Sequence, residues 1–164
     1  MYVADRIAVM NHGVIEQLGT ADEIYNRPRT LYVGRFVGES NIFTASISGN
    51  GGTTLQAEVR GVGRFRGVAP SAIDIGREAK MLLRPESLRL VEAGSGESTP
   101  ADTNRFSARV ERVIYLGHRT EYHLRVGEEK LVVWELADRT RRVRKEGDSL
   151  TVEVAVADTF LFDD

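Results

Sequence analysis

Few residues in this sequence are of a type and spacing that could do chemistry. A loop of the form G-x-x-x-x-G-K-[ST] wraps a nucleotide phosphate in backbone amides and brings an ammonium group to it, which requires lysine directly after glycine. The three lysines, Lys80, Lys130 and Lys145, follow Ala79, Glu129 and Arg144, so ATP has no such cradle here. Gly61, Gly63 and Gly67 are spaced wrongly for a dinucleotide fingerprint, and Arg64-Phe65-Arg66 between the last two reads as strand, so these glycines are assigned to a hairpin. His12, His118 and His123 are the only histidines. A metal site needs groups converging from helical i, i+4 positions or from adjacent strands. His118 and His123 could do so across a turn with Glu121, and the simpler reading is an exposed strand face. The local sequence offers no serine, histidine and aspartate set, and the absence of cysteine removes disulfides and thiolate metal sites. No residue is assigned a catalytic, cofactor-binding or metal-ligating role, and no cofactor is expected in this chain.

One basic cluster stands out, Arg139, Arg141, Arg142, Arg144 and Lys145, between two late strands. Either it grips an anion or a partner, as loops of oligonucleotide-binding barrels do, or it is a solvated loop beside acidic neighbours. It lacks interleaved aromatic residues for base stacking, Trp134 lying just outside it. The formal net charge of -2 argues against wrapping nucleic acid or an anionic membrane. No run of about 18 apolar residues exists. Met1-Tyr2-Val3-Ala4-Asp5 lacks the basic and apolar regions of a signal peptide, so the chain reads as soluble and unexported.

The elements that would carry these residues begin with a ribbon, strands at 6–10 and 14–18 around a tight Asn11-His12-Gly13 turn. Such a ribbon is marginal in water. Its apolar residues Ile7, Val9, Val14 and either Ile15 or Leu18 should therefore be frayed, packed on the barrel, or exchanged between copies. Thr20-Ala21-Asp22-Glu23 fits a capping box for a helix to about Asn26. Pro28 ends it, and Thr30 can cap a second helix carrying Leu31, Tyr32, Phe36 and Val37 up to Gly38. From Asn41 the period becomes alternating, with strands expected at 42–48, 54–59, 64–68, 79–83 extending through 88–91, 106–116, 121–126, 131–136 and 150–156. Residues 93–104 have no apolar period and are rich in loop formers, which predicts a mobile linker splitting the β region in two. The expected fold is mainly β, a small OB-like barrel preceded by a β-hairpin and two short helices. Phe43, Phe65, Tyr115, Trp134 and Phe160 are its candidate apolar anchors, either for the core or for a partner.

The run Asp5-Arg6-Ile7-Ala8-Val9-Met10-Asn11-His12-Gly13-Val14-Ile15-Glu16-Gln17-Leu18-Gly19-Thr20, continuing through Glu23-Ile24-Tyr25-Asn26-Arg27-Pro28 to Phe36-Val37-Gly38, resembles the closing segment of the ATP-binding subunit of bacterial ABC importers. Leu83-Arg84-Pro85-Glu86, the Tyr115-Leu116-Gly117 turn with Glu121-Tyr122 after it, and Phe160-Leu161-Phe162-Asp163 resemble the transport-associated OB (TOBE) domain of the polyamine, iron and sugar importer branch. The resemblance implies two parts, residues 1–40 from the end of an ATPase domain and residues 41–164 as a TOBE domain of OB-like or MOP-like fold. It implies structural or regulatory roles for Leu83, Arg84, Pro85, Glu86, Tyr115, Leu116 and Gly117. The Walker A, signature and Walker B motifs and the switch histidine would lie before Met1, so ATP and Mg would belong to an intact parent and this chain would not itself be an enzyme. The implied partners are a second copy in a homodimer and the permease subunits, at the cytoplasmic face of the inner membrane, with no nucleic acid. The implied role is regulation and tethering in the import of a polyamine, iron or related cargo. A free-standing OB-like nucleic-acid-binding module and a small-ligand or oxyanion sensor are the alternatives. Oxyanion-binding relatives resemble a Ser-Ala-Arg-Asn stretch at the barrel entry, where this chain has Glu39-Ser40-Asn41-Ile42-Phe43.

Overall fold

A computed structural model describes residues 4–92, 100–137 and 143–163. The chain opens with a hairpin, β1 (Ile7–Asn11) and β2 (Val14–Gly19). Its two turn residues, His12 and Gly13, sit at φ 47° and 83°, the pair of positive values whose twist suits a two-residue hairpin. Helix α1 (Ala21–Asn26) starts on the expected capping box: the Glu23 N–H donates to Thr20 Oγ1 at 3.2 Å and the Thr20 N–H donates to Glu23 Oε2 at 2.8 Å. Helix α2 (Leu31–Phe36) starts at Thr30, whose Oγ1 accepts from the Val33 N–H at 3.3 Å. Val9, Ile24 and Val33 form a small core with Ile7 and Val37 against it. The ribbon's apolar residues therefore divide: Ile7 and Val9 pack on the helices that follow, whereas Val14, Ile15 and Leu18, expected on the same face, are exposed. A bulge between Val9 and Met10 shifts the register beyond Val9, and Leu18, paired with Ala8 before it, alternates away from the buried Gln17 and Gly19.

The remaining strands are β3 (Asn41–Asn50), β4 (Leu55–Val59), β5 (Gly63–Gly67), β6 (Glu78–Leu83), β7 (Arg89–Glu92), β8 (Thr103–Tyr115), β9 (Arg119–Val126), β10 (Glu129–Leu136), β11 (Ser149–Ala155) and β12 (Thr159–Asp163). They make two antiparallel five-stranded sheets, ordered β12-β6-β3-β4-β5 and β7-β11-β8-β9-β10. Position by position these are the same sheet twice. In each, four strands come from one stretch of chain and the outer strand comes from the other stretch. The chain crosses over through 3-10 turns at Pro85–Ser87 and Val156–Asp158. Strands expected to run continuously from 79 to 91 are thus two strands in two sheets. Pro85 has no N–H for a ladder and fixes its own φ, so the strand must stop there.

The duplication extends to side chains and bulges. Asn41-Ile42-Phe43-Thr44-Ala45-Ser46-Ile47 opens β3, and Asn104-Arg105-Phe106-Ser107-Ala108-Arg109-Val110 occupies the same place in β8. Phe43, Ala45 and Ile47 point into the core, as do Phe106, Ala108 and Val110. A bulge follows Ile47 in one strand and Val110 in the other, and the N–H groups of Gly76 and Gly147 donate to the Ile47 and Val110 carbonyls, both at 2.8 Å. The inner faces of both sheets share one hydrophobic core. The expected division of the β region by a linker is therefore corrected: the halves exchange outer strands and pack together. Of that linker, Thr103 and Asn104 already belong to β8, the Thr103 N–H donates to the Pro100 carbonyl, and residues 93–99 lie outside the described residues.

Strand β12 was not expected, because Thr159, Phe160, Leu161 and Phe162 are all buried and show no alternation. Leu161 enters the main core, while Phe160 and Phe162 pack with Leu82 beneath Leu31, Ile42 and Val68 on the opposite face. β12 also closes the first sheet on itself: the Val68 N–H donates to the Thr159 carbonyl at 2.8 Å and the Leu161 N–H donates to the Val68 carbonyl at 2.9 Å. Gly67 permits this seam, since a Cβ there would lie 2.6 Å from the Thr159 carbonyl oxygen.

Candidate functional site at the joint between helices and barrel

Four residues singled out by sequence, Leu83, Arg84, Pro85 and Glu86, lie where the helical segment meets the barrel. Leu83 and Pro85 are buried and anchor the corner. Arg84 is 2% exposed. Its Nη1 donates to the Gly38 and Glu39 carbonyls at 3.3 and 3.2 Å and to Ser40 Oγ at 2.7 Å. Its guanidinium also covers the Tyr25 ring, 4.5 Å from the centroid. The Tyr25 hydroxyl donates to Glu86. Burial, then the Glu86 carboxylate, pushes the Tyr25 hydroxyl up to about 12, and burial pushes the Arg84 guanidinium down. Arg84 Nε and Nη2 are buried without a hydrogen-bond partner among the described residues. On the hairpin side, the buried Gln17 amide donates to the Arg27 carbonyl at 3.0 Å and accepts from the Arg29 N–H at 2.8 Å. The whole arrangement is a clamp. It fixes the position of the helices on the barrel.

Two functional residues were missed by sequence reasoning. Asn104 Oδ1 accepts from the Arg66 N–H and its Nδ2 donates to the Arg66 carbonyl, both at 2.8 Å, so one side chain completes the open edge of β5 as a strand would. Asn41 does the same to the edge of β10, accepting from the Val132 N–H at 2.7 Å and donating to its carbonyl at 2.8 Å. The two halves thus pin each other's free edges with equivalent residues. The signal lay in the repeat that begins at each asparagine.

The Tyr115-Leu116-Gly117 turn is exposed, with Tyr115 at 70% and Gly117 at φ 80°. The end of β10 lies beside it, the Ala137 N–H donating to the His118 carbonyl, and Leu136 there is 82% exposed. Of the basic cluster, Arg139, Arg141 and Arg142 lie outside the described residues. Lys145 is exposed. Arg144 is largely buried: Nη1 meets Glu135 Oε2 at 2.7 Å, Nη2 donates to the Leu90 carbonyl at 2.8 Å, and the group lies over Tyr122. It straps β10 to β7, its guanidinium engaged by Glu135 and the Leu90 carbonyl. Glu121 pairs with Arg119 at 2.6 Å, Arg119 stacks on Trp134 at 3.6 Å, and His123 Nε2 is buried with no hydrogen-bond partner among the described residues. Among the described residues no group of His, Cys, Asp and Glu is arranged to hold a metal. Phe43, Phe65 and Phe160 are core, Trp134 is half-buried and Tyr115 faces solvent. Gly61 and Gly63 form the β4–β5 turn, as expected. No helix among the described residues is long and apolar enough to cross a membrane.

With this geometry in place, residues 81–162 match the sequence profile of the TOBE domain. The chain belongs to the TOBE domain family. That match starts inside β6, whereas the repeated architecture starts forty residues earlier, at Asn41. Similar curated proteins are the spermidine/putrescine import ATP-binding proteins PotA of Nitratidesulfovibrio vulgaris, 41% identical over 70% of this chain and 30% of that protein, and of Rubrobacter xylanophilus, 31% identical over 92% and 38%. PotA 2 of Pseudomonas aeruginosa is 33% identical over 73% of this chain and 32% of its own length. The chain spans about a third of the length of these relatives. Among solved structures, the cytoplasmic molybdate-binding protein ModG superposes with a TM-score of 0.63 at 15% identity, over 76% of this chain and 96% of that one. The likeness to ModG is one of fold.

Proposed function

We propose that this TOBE domain is the accessory part of an ABC importer's ATP-binding subunit, that it holds two such subunits together while their nucleotide sites open and close, and that it has no chemistry of its own. The observation that carries the reading is the clamped joint. Gln17 ties the hairpin to the segment between the two helices, and Arg84, Tyr25 and Glu86 tie the helical segment to the barrel, so movement of whatever covers the hairpin would be passed to the barrel. The hairpin presents Met10, Val14, Ile15 and Leu18 to solvent, and α2 adds Phe36, a strip suited to burial under an ATPase domain. ATP and Mg belong to that domain in this reading, because no lysine in the sequence follows a glycine as a G-x-x-x-x-G-K-[ST] phosphate loop requires. Permease subunits would be reached through the same domain, at the cytoplasmic face of the membrane. The names of the relatives favour a polyamine cargo.

The exposed tip formed by Tyr115, Leu116 and Leu136 supports contact with a second copy, which needs on the order of 1,000 Å² to persist. The test is a chimera in which this chain replaces the matching third of the P. aeruginosa relative. The expected result is a dimeric subunit that turns over ATP, and monomers from the pair Tyr115→Glu and Leu136→Glu. A monomeric chimera, or ATP turnover by the 164-residue chain alone, overturns the proposal.

A further inference from the structure

An open cleft of about 450 Å³ crosses the joint, within the range that holds small molecules. Its floor is the barrel seam, Val68, Ala69, Pro70 and Phe160, and Leu18 and Pro28 close the opposite wall. Arg27 and Arg29 stand at its mouth on either side of the buried Pro28, and both side chains are exposed. Their placement is fixed from behind by Gln17, which bonds the Arg27 carbonyl and the Arg29 N–H. Neither guanidinium is hydrogen-bonded or ion-paired among the described residues. The one acid lining the cleft, Glu23, accepts its hydrogen bonds within the Thr20 capping box and attracts Arg27 through space without pairing with it, so Arg29 is the less compensated of the two. A chain of net charge -2 thus concentrates two positive groups over an apolar floor.

We propose that this cleft binds a small organic anion, a phosphate or carboxylate carried on an apolar body. The anion sits between Arg27 and Arg29, where a forked guanidinium can bond two of its oxygens. The body lies on Val68, Ala69 and Phe160. Walls from the helical segment and floor from the barrel make the ligand a bridge between the two, so occupancy stiffens the joint. The site does not depend on the transporter reading.

The 164-residue chain is titrated with phenyl phosphate and separately with phenylacetate, followed by backbone amide NMR. The expected result is shifts confined to residues around Arg27, Arg29, Val68 and Ala69 with at least one of the two, and which one responds identifies the headgroup. The double variant R27Q/R29Q weakens binding by about a hundredfold, roughly tenfold for each lost charged bond. Both side chains are exposed, so amide positions elsewhere in the variant stay unchanged and report an intact fold. The proposal is overturned if neither compound shifts these residues at millimolar concentration, if the shifts fall elsewhere, or if the double variant binds equally well. Inorganic phosphate binding as tightly as phenyl phosphate also overturns it, because the apolar floor would then contribute nothing.

Discussion

Replacing Asn104 by aspartate keeps shape and removes one property, the amide donor. Oδ1 can still accept from the Arg66 N–H, but two donations are lost, to the Arg66 carbonyl at 2.8 Å and to Thr159 Oγ1 at 3.0 Å. Thr159 cannot compensate by turning its hydroxyl, because that proton already goes to the Ala155 carbonyl at 3.0 Å. A carboxylate oxygen would instead face two acceptors at a site only 6% exposed. Two lost bonds at about 1 kcal/mol each, with about 2 kcal/mol for the unpaired buried acceptors, give roughly 4 kcal/mol at pH 7. In a domain of this size that is a fall in Tm of about 8–16 °C. The new carboxyl is held above its ordinary value by burial and by the facing oxygens. Its neutral form, which can donate again, is therefore favoured at low pH, and the defect relative to the parent deepens as pH rises through the raised value. Urea unfolding read by the single tryptophan, Trp134, at pH 5 and pH 7 checks both statements, with Asn104→Ala as a reference whose defect does not vary with pH. A loss under about 1 kcal/mol at pH 7, or a loss that is the same at both pH values, would refute the idea that Asn104 serves as a strand substitute.

Gly67→Ala should lower the urea midpoint by the equivalent of about 1–3 kcal/mol, since its Cβ would meet the Thr159 carbonyl at 2.6 Å, and faster amide exchange at Val68 and Leu161 would locate the damage at the seam. Tyr25 has its hydroxyl pushed up to about 12 from an ordinary 10.0, so it contributes stability below pH 10 that is lost as pH rises to 12; a Tyr25→Phe variant should lose less stability across that interval, measured by denaturant unfolding. Glu23 is held below its ordinary 4.5 by the Thr20 N–H, so the capping box is intact above that value and opens as pH falls through the depressed one, and Glu23→Gln should flatten the acid limb of α1 helicity by circular dichroism. Arg144→Lys keeps the charge but cannot reach both Glu135 and the Leu90 carbonyl, which predicts a loss of about 1 kcal/mol in unfolding free energy.

Local pattern made much of the fold legible. The Thr20 and Glu23 capping box, the stop at Pro28 and the alternation of Tyr122, Leu124 and Val126 are encoded by residues within a few positions of each other and form as read, and the hairpin turn read at Asn11-His12-Gly13 forms one residue shorter, Asn11 ending β1. The family was legible too, through Leu83-Arg84-Pro85-Glu86 and the run from Asp5 to Gly38. The role of Arg144 was not legible without the structure, and for the two asparagines the sequence offered only the repeat that begins at each, not the edges they bond. A basic residue in a basic stretch gives no sign that Glu135 and Leu90 will surround it, and Asn at a strand start resembles ordinary punctuation.

The sequence alone determined most of the strands, where the helices begin, and that no G-x-x-x-x-G-K-[ST] loop is present, because these follow from neighbours in the chain; β12, buried on both faces, and the break of β6 from β7 at Pro85 did not show. Tertiary structure alone decided which sheet each strand enters. Period-2 patterning states that a strand has a buried face but is silent about the strand it pairs with, so the exchange of β7 and β12 was invisible. So were the pins from Asn104 to Arg66 and from Asn41 to Val132, which span 38 and 91 positions. Contacts of that reach are set by the shared core, whose burial compensates the chain entropy lost in closing such long loops.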